Sequence, residues 1–197
     1  MKVGILALQG DITPHRRAVE RLGHHPELVR YPQQLDIIDA LIMPGGESTT
    51  IQKLLDRWEM VEPIRRRAGE GMPIWGTCAG AILLARSIRG SDQPTLGLMD
   101  TQVERNAYGR QVDSFEAEVT VEGMEGSMRA VFIRAPIITH VGPSVRVLAT
   151  HEGAIVAAAE GHLLATTFHP ELADDDRLLQ TFLDSPEGLW TGKAAAS

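Results

Sequence analysis

Pro73 to Leu84 reads PIWGTCAGAILL, and its reading decides the fold. A short apolar run enters Gly76-Thr77-Cys78-Ala79-Gly80 and leaves as residues of helical character, so the segment is a strand, a tight turn and a helix. The one cysteine of the chain sits at the turn. Glycines two residues on either side of the sulfur permit a strained backbone and a close strand-to-helix approach that a Cβ would obstruct. The pattern G-x-C-x-G is the thiol counterpart of the serine nucleophile elbow. A sulfur at a helix N-terminus meets unpaired N–H groups that favour the thiolate, and the N–H of Ala79 is one donor for an oxyanion formed beside it. A lone cysteine is otherwise a small buried hydrophobe; the flanking glycines argue for a nucleophile, which then needs a base.

Before the elbow, strands and helices alternate. Lys2 to Leu8 is a continuous apolar run of strand length, as in a central parallel strand covered on both faces. Gln9, Gly10 and Asp11 form a loop. Thr13 as N-cap with Pro14 at the first helical position opens a helix carrying His15, Ala18, Val19 and Leu22 at helical spacing, and Gly23 ends it. Glu27 to Tyr31 and Asp39 to Met43 are further strands. Pro44-Gly45-Gly46-Glu47-Ser48-Thr49 is a glycine-rich turn into the helical pattern Ile51, Leu54, Leu55, Trp58. It lacks the lysine of a phosphate-binding loop; its use is to bring backbone N–H groups close to a reacting carbonyl. A helix over Val61 to Glu70 leads to the elbow. The alternation specifies a three-layer α/β fold with a mostly parallel central sheet flanked by helices.

Beyond Gly90 the pattern changes to short strands punctuated by Gly and Pro: Thr101 to Glu104, Phe115 to Val121, Arg129 to Arg134, Val145 to His151, Ala154 to Glu160 and Leu163 to Phe168. Their connections are too brief for crossover helices, so antiparallel additions are expected in this half. Asp174 to Leu183 is a closing helix. Residues 1–185 make a single domain and 186–197 a frayed tail.

The last strand delivers the base. Leu163 to Phe168 ends in His169-Pro170-Glu171. Proline keeps the residue before it extended, and an i, i+2 pair in extended chain projects to one side, so imidazole and carboxylate can meet. A strand C-terminus is also where an elbow in a parallel sheet places its nucleophile. His169 would take the thiol proton and return it to a leaving amine, with Glu171 fixing the tautomer. His140, His151 and His162 compete for the base role, but none has a carboxylate two residues on. His24 and His25 have no carboxylate or thiol at ligand spacing, and no metal site is expected.

Composition excludes several classes. The 197 residues are 43% hydrophobic and 23% charged, ordinary for a globular chain. A net charge of −7 leaves no excess of Lys and Arg for a nucleic-acid partner. One cysteine precludes an internal disulfide or a multi-cysteine zinc site. No apolar run approaches membrane-spanning length and Met1 to Leu8 is too short for a secretory segment, so a cytosolic protein is expected.

Taken together, LALQGD near the start, PGGEST at 44–49, GTCAG at 76–80, ERNAYGRQVDSFE at 104–116, FIRAP at 132–136 and FHPEL at 168–172 resemble the class I, triad-type glutamine amidotransferases. GTCAG and HPE mark the superfamily. GRQVDSFE and FIRAP resemble more closely the glutaminase subunits of pyridoxal 5'-phosphate synthases. The likeness spans about Met1 to Leu183 and implies a flavodoxin-like α/β fold. It implies that Cys78 attacks the carboxamide carbon of L-glutamine to give a thioester and ammonia, with His169 and Glu171 completing the triad. It further implies glutamine contacts at Gly46, Glu47, Ser48, Arg105, Ile133 and Arg134, an oxyanion hole from Gly46 and Ala79, and no cofactor. The ammonia would pass to a separate (β/α)8-barrel synthase subunit faced by Gln9 and Gly10, whose docking would order the Gly45-Gly46 turn. Another Cys-His hydrolase on the same fold, a γ-glutamyl hydrolase or a deglycase-like protein, is the alternative. A noncatalytic glutamine sensor is the lesser one.

Overall fold

The computed structural model describes residues 1–105 and 114–184. The expected tail, and residues 106–113 of the ERNAYGRQVDSFE stretch, lie outside these. Five strands run parallel in one half of the main sheet: β1 (Lys2–Leu6), β2 (His25–Val29), β3 (Ala40–Met43), β4 (Ile74–Thr77) and β12 (Leu163–Thr166), in spatial order β2-β1-β3-β4-β12. Between them run α1 (Thr13–Arg21), α2 (Ser48–Arg57), α3 (Val61–Gly69) and α4 (Ala79–Leu84). The other half holds β5 (Ala85–Ile88), β6 (Met99–Glu104), β9 (Ile137–Val141), β10 (Arg146–His151) and β11 (Ala154–Glu160). There β11 joins β12, β10 and β9 antiparallel, β9 joins β6 antiparallel, and β6 pairs parallel with β5. A separate antiparallel hairpin, β7 (Ser114–Thr120) with β8 (Ser127–Ile133), and α5 (Arg177–Asp184) complete the described residues.

The pleat explains the three layers. Every residue of β3, β4 and β12 is buried, so their apolar runs are continuous rather than alternating. Successive side chains nonetheless serve opposite faces. Leu41 and Met43 join a core with Ile51 and Leu55 of α2, Ile64 of α3 and Leu83 of α4. Ala40 and Ile42 join a second core with Ala18 and Val19 of α1, Leu178 and Phe182 of α5, and Phe132 of the hairpin.

Several expectations shift. The first helix does not use Thr13 as N-cap: Ile12 holds that position with no side-chain bond, and the Asp11 carboxylate instead accepts from the Thr13 N–H at 3.3 Å. The last parallel strand stops at Thr166, not Phe168, and the closing helix begins at Arg177, not Asp174. Two strands, β5 and β9, have no counterpart in the sequence reading. β5 follows the six-residue helix α4 directly, and an apolar run that changes from helix to strand without Gly or Pro carries no boundary signal.

Candidate active site

The carboxyl ends of β1, β3, β4 and β12 carry Gln9 to Asp11, Gly45 to Ser48, Cys78 and His169 into one region. Sites in open parallel sheets form at this end of the strands. Cys78 is the single residue between β4 and α4, with φ 49° and ψ −102°, a conformation that a residue with a Cβ rarely adopts. The neighbours make it possible. A Cβ on Gly76 would lie 2.4 Å from the carbonyl carbon of Gly80, and one on Gly80 would lie 2.0 Å from the carbonyl oxygen of Met43. Both contacts are with backbone that cannot yield, so the elbow needs glycine at each place. The Cys78 N–H donates to the Thr166 carbonyl at 2.8 Å, locking the turn to β12. The thiol points toward the Ile133 carbonyl, with sulfur and oxygen 3.9 Å apart.

His169 leaves the end of β12, and its N–H donates to the Val131 carbonyl at 2.8 Å, which pins it to β8. Its Nδ1 lies 2.7 Å from Oε1 of Glu171. The two meet by a route other than the expected extended chain: Pro170–Leu172 is a 3-10 turn, with proline in its first turn, that folds the carboxylate back under the ring. Burial works against the imidazolium, but hydrogen bonding with Cys78 and Glu171 and their charges outweigh it, raising the His169 pKa from 6.5 to about 10. Burial likewise works against the Glu171 carboxylate, and the imidazoles of His15 and His169 overcome it, lowering its pKa from 4.5 to about 2. The site therefore favours an ion pair between ring and carboxylate.

His15 is the participant that the sequence reading missed. It stood there only as one apolar-face position of the first helix, yet it is 2% exposed and its Nε2 lies 3.2 Å from Glu171 Oε1. The signal available was a histidine on the buried stripe of an amphipathic helix, which requires a polar partner inside. Two of the rival histidines are engaged elsewhere: His162 Nε2 contacts the Ala68 carbonyl at 2.8 Å, and His151 stacks on Phe115 and Phe132.

Two connecting lobes of about 240 Å³ and 280 Å³ open above the thiol, sharing Gly46, Glu47, Cys78, Ile133 and Arg134. The first extends past Ser48, Ala79 and Arg105; the second extends past Gln9, Gly45 and His169. Arg105 is held toward the first lobe by Gln93 Oε1 at 2.9 Å, Ser91 Oγ at 3.2 Å and Thr49 Oγ1 at 3.4 Å. Arg134 has φ 43°, a second strained non-glycine backbone at this rim. The Glu47 side chain turns to its own helix: its carboxylate accepts from the N–H groups of Thr49 at 3.3 Å and Thr50 at 2.8 Å. Burial pushes that carboxyl up, but the Thr50 and Thr49 bonds hold it below the ordinary range. Gln9 Oε1 accepts from the Glu47 N–H at 2.8 Å, and the Gly10 Cα hydrogens face the Gly45 carbonyl so closely that a Cβ there would lie 2.0 Å from its oxygen. The first loop thus braces the glycine turn.

Among the described residues no three His, Cys, Asp or Glu side chains gather as metal ligands would, and no helix is long and apolar enough to cross a membrane.

With this geometry in place, the comparisons are direct. A solved structure described as a glutamine amidotransferase matches with a TM-score of 0.90 and 48% identity, covering 93% of this chain and 98% of that one, which sets the class. The sequence model of the SNO glutamine amidotransferase family matches residues 5–187, and the chain belongs to that family. Relatives called "Pyridoxal 5'-phosphate synthase subunit PdxT" include one from Geobacillus kaustophilus, 52% identical over 93% of this chain and 94% of its own length. Another, from Bacillus licheniformis, is 48% identical over 95% of both chains.

Proposed function

We propose that the protein is the glutaminase subunit of a pyridoxal 5'-phosphate synthase, hydrolysing L-glutamine to L-glutamate and ammonia with Cys78 as nucleophile. The observation that carries the reading is the part-buried His169–Glu171 pair at 2.7 Å beside a thiol on a glycine elbow. The Cys78 thiolate attacks the carboxamide carbon, and the oxyanion is met by the N–H groups of Ala79 and Gly46. His169, carrying the thiol proton, gives it to the departing nitrogen, and ammonia leaves a γ-glutamyl thioester. The same imidazole then takes a proton from water, which attacks the thioester carbonyl; the sulfur departs and glutamate is released. Glu171 accepts from the ring Nδ1–H throughout, so Nε2 serves the reacting atoms.

Arg105 and Arg134 supply positive charge at the rim for the substrate carboxylate, with Gly46, Glu47, Ser48 and Ile133 forming the wall. Gln9 and Gly10 face a (β/α)8-barrel synthase subunit that receives the ammonia. Docking there reaches the oxyanion turn through the Gln9 to Glu47 bond. The test is glutamate release from L-glutamine with and without the purified synthase subunit. Release that needs Cys78 and rises with the synthase is expected. Cleavage of γ-glutamyl peptides indifferent to the synthase would overturn the assignment and favour a γ-glutamyl hydrolase.

A further inference from the structure

We infer that His15 is a positioning residue of the reaction: from α1, its Nε2–H holds the Glu171 carboxylate in the orientation in which that carboxylate can serve His169. The inference rests on the glutaminase reading and deepens it. The His15 side chain is 2% exposed and that of Glu171 5%, so water does not compete for either. An ionised carboxylate only accepts hydrogen bonds, so the His15 Nε2 that lies 3.2 Å from Oε1 is the protonated nitrogen, drawing that oxygen as an ion-pair contact. The same oxygen accepts from His169 Nδ1–H at 2.7 Å. The Thr77 hydroxyl, on the residue before the nucleophile, lies 3.3 Å from the same His15 nitrogen. A closed circuit results: Cys78 to His169, His169 to Glu171, Glu171 to His15, and His15 back to the strand residue that carries Cys78.

The need for a second donor follows from local backbone. Glu171 stands in a three-residue 3-10 turn closed by two backbone bonds, from the Leu172 N–H to the His169 carbonyl at 3.3 Å and from the Ala173 N–H to the Pro170 carbonyl at 3.1 Å. Its second oxygen, Oε2, is buried with no hydrogen-bonding partner among the described residues. A carboxylate anchored solely through the ring it is meant to orient would rotate with that ring. His15 fixes the carboxylate from a different element, the helix α1, which packs on the 3-10 turn. The first helix thereby enters the reaction without touching substrate.

The experiment uses the full chain with its synthase subunit and reads glutamate release for wild type, His15→Leu and His15→Gln. The Leu variant keeps the apolar volume and loses the donor; the Gln variant returns an N–H near the place of Nε2. For His15→Leu, kcat falls about 10- to 100-fold, as expected when a catalytic group loses its orientation, while KM stays within about twofold. His15→Gln recovers most of the loss. In a Glu171→Gln background, His15→Leu adds little, because the two act as one unit. A wild-type kcat in His15→Leu overturns the inference, as does an equal loss in the Leu and Gln variants, which is the mark of packing alone. If His15→Leu does not fold, Thr77→Val is read by the ring N–H proton resonance of His169. A displaced resonance supports the inference; an unchanged one overturns it. A wild type that releases no glutamate would sink the glutaminase reading instead, which keeps the two failures apart.

Discussion

The two sides of Cys78 are built on opposite plans. Behind it, His15 is buried and His169 and Glu171 are largely so, and the three are joined by contacts of 2.7 Å and 3.2 Å, each residue coming from or packed on a regular element. In front of it, the wall includes glycine backbone, an exposed Ile133, and Arg105 and Arg134, which line the cavity from loops. In the proposed reaction the first side does proton transfer, where displacement of a group by an ångström is costly. The second must admit a substrate and answer a partner, so its shape is carried by backbone that small changes can turn. Preorganised chemistry and adjustable binding therefore meet at one sulfur.

The largest expected effect breaks both sides together. Cys78→Ala should reduce glutamine hydrolysis by on the order of 10⁴-fold or more, while co-elution with the synthase subunit and ammonia-supported synthesis persist; hydrolysis near the wild-type rate would remove the thiol from the chemistry. A smaller loss separates the sides. Gly46→Pro removes the N–H proposed as an oxyanion donor in the front wall and should cost on the order of 3 kcal/mol in the barrier, measured as kcat/KM for glutamine. Gly45→Ala attacks the rear from the front: its Cβ would lie 2.4 Å from Cε1 of His169, so the ring must move. A loss of about a hundredfold in kcat is expected, and an unchanged rate would show the ring to be less constrained than its contacts require.

The rear side also has a pH signature. His169 is raised from 6.5 to about 10, so its stabilisation is complete below pH 6.5 and is lost as pH rises through about 10. Glu171 is lowered from 4.5 to about 2, so its stabilisation is complete above pH 4.5 and is lost as pH falls through about 2. Both contributions stand in full only between 4.5 and 6.5. Urea unfolding of wild type against Glu171→Gln should show the widest gap in that window and a narrowing on either side. A gap that stays constant from about pH 3 to about pH 9 would contradict the ion pair.

What the sequence disclosed follows the same division. The elbow was legible because Gly76 and Gly80 are demanded by contacts within a few residues or with the neighbouring strand, and the parallel strands because complete burial leaves unbroken apolar runs. His169 and Glu171 were legible as a pair, but the reason offered for their meeting was wrong: proline after His169 starts a 3-10 turn here, and that turn brings the carboxylate back. That His15 needs a polar partner could be read from its place on the buried stripe of α1, but the partner was hidden, because Glu171 lies 156 positions on and no local pattern names so distant a contact. Strand β5, Ala-Arg-Ser-Ile, was hidden because pairing with β6 rather than local propensity makes it a strand; β9, Ile-Ile-Thr-His-Val, is rich in β-branched residues and its propensity was legible but not read.

The smallest prediction concerns Glu47, which belongs to the front wall yet spends its carboxylate on its own helix. As the N-cap of α2 it accepts from Thr49 and Thr50, so Glu47→Ala should cost about 1 kcal/mol of stability, lowering the thermal midpoint by roughly 2–4 °C for a chain of this size. Glu47→Ser keeps a capping oxygen while removing the charge, and should restore most of that midpoint. Glutamine KM then separates the two uses of the residue. If the carboxylate only caps, KM is unchanged in Glu47→Ser; if it also meets the substrate's ammonium, KM rises although the helix is sound. The first outcome is expected, because bonds from two N–H groups and the Thr50 hydroxyl already hold the carboxylate against the helix end, and leaving them for the ligand would expose that end.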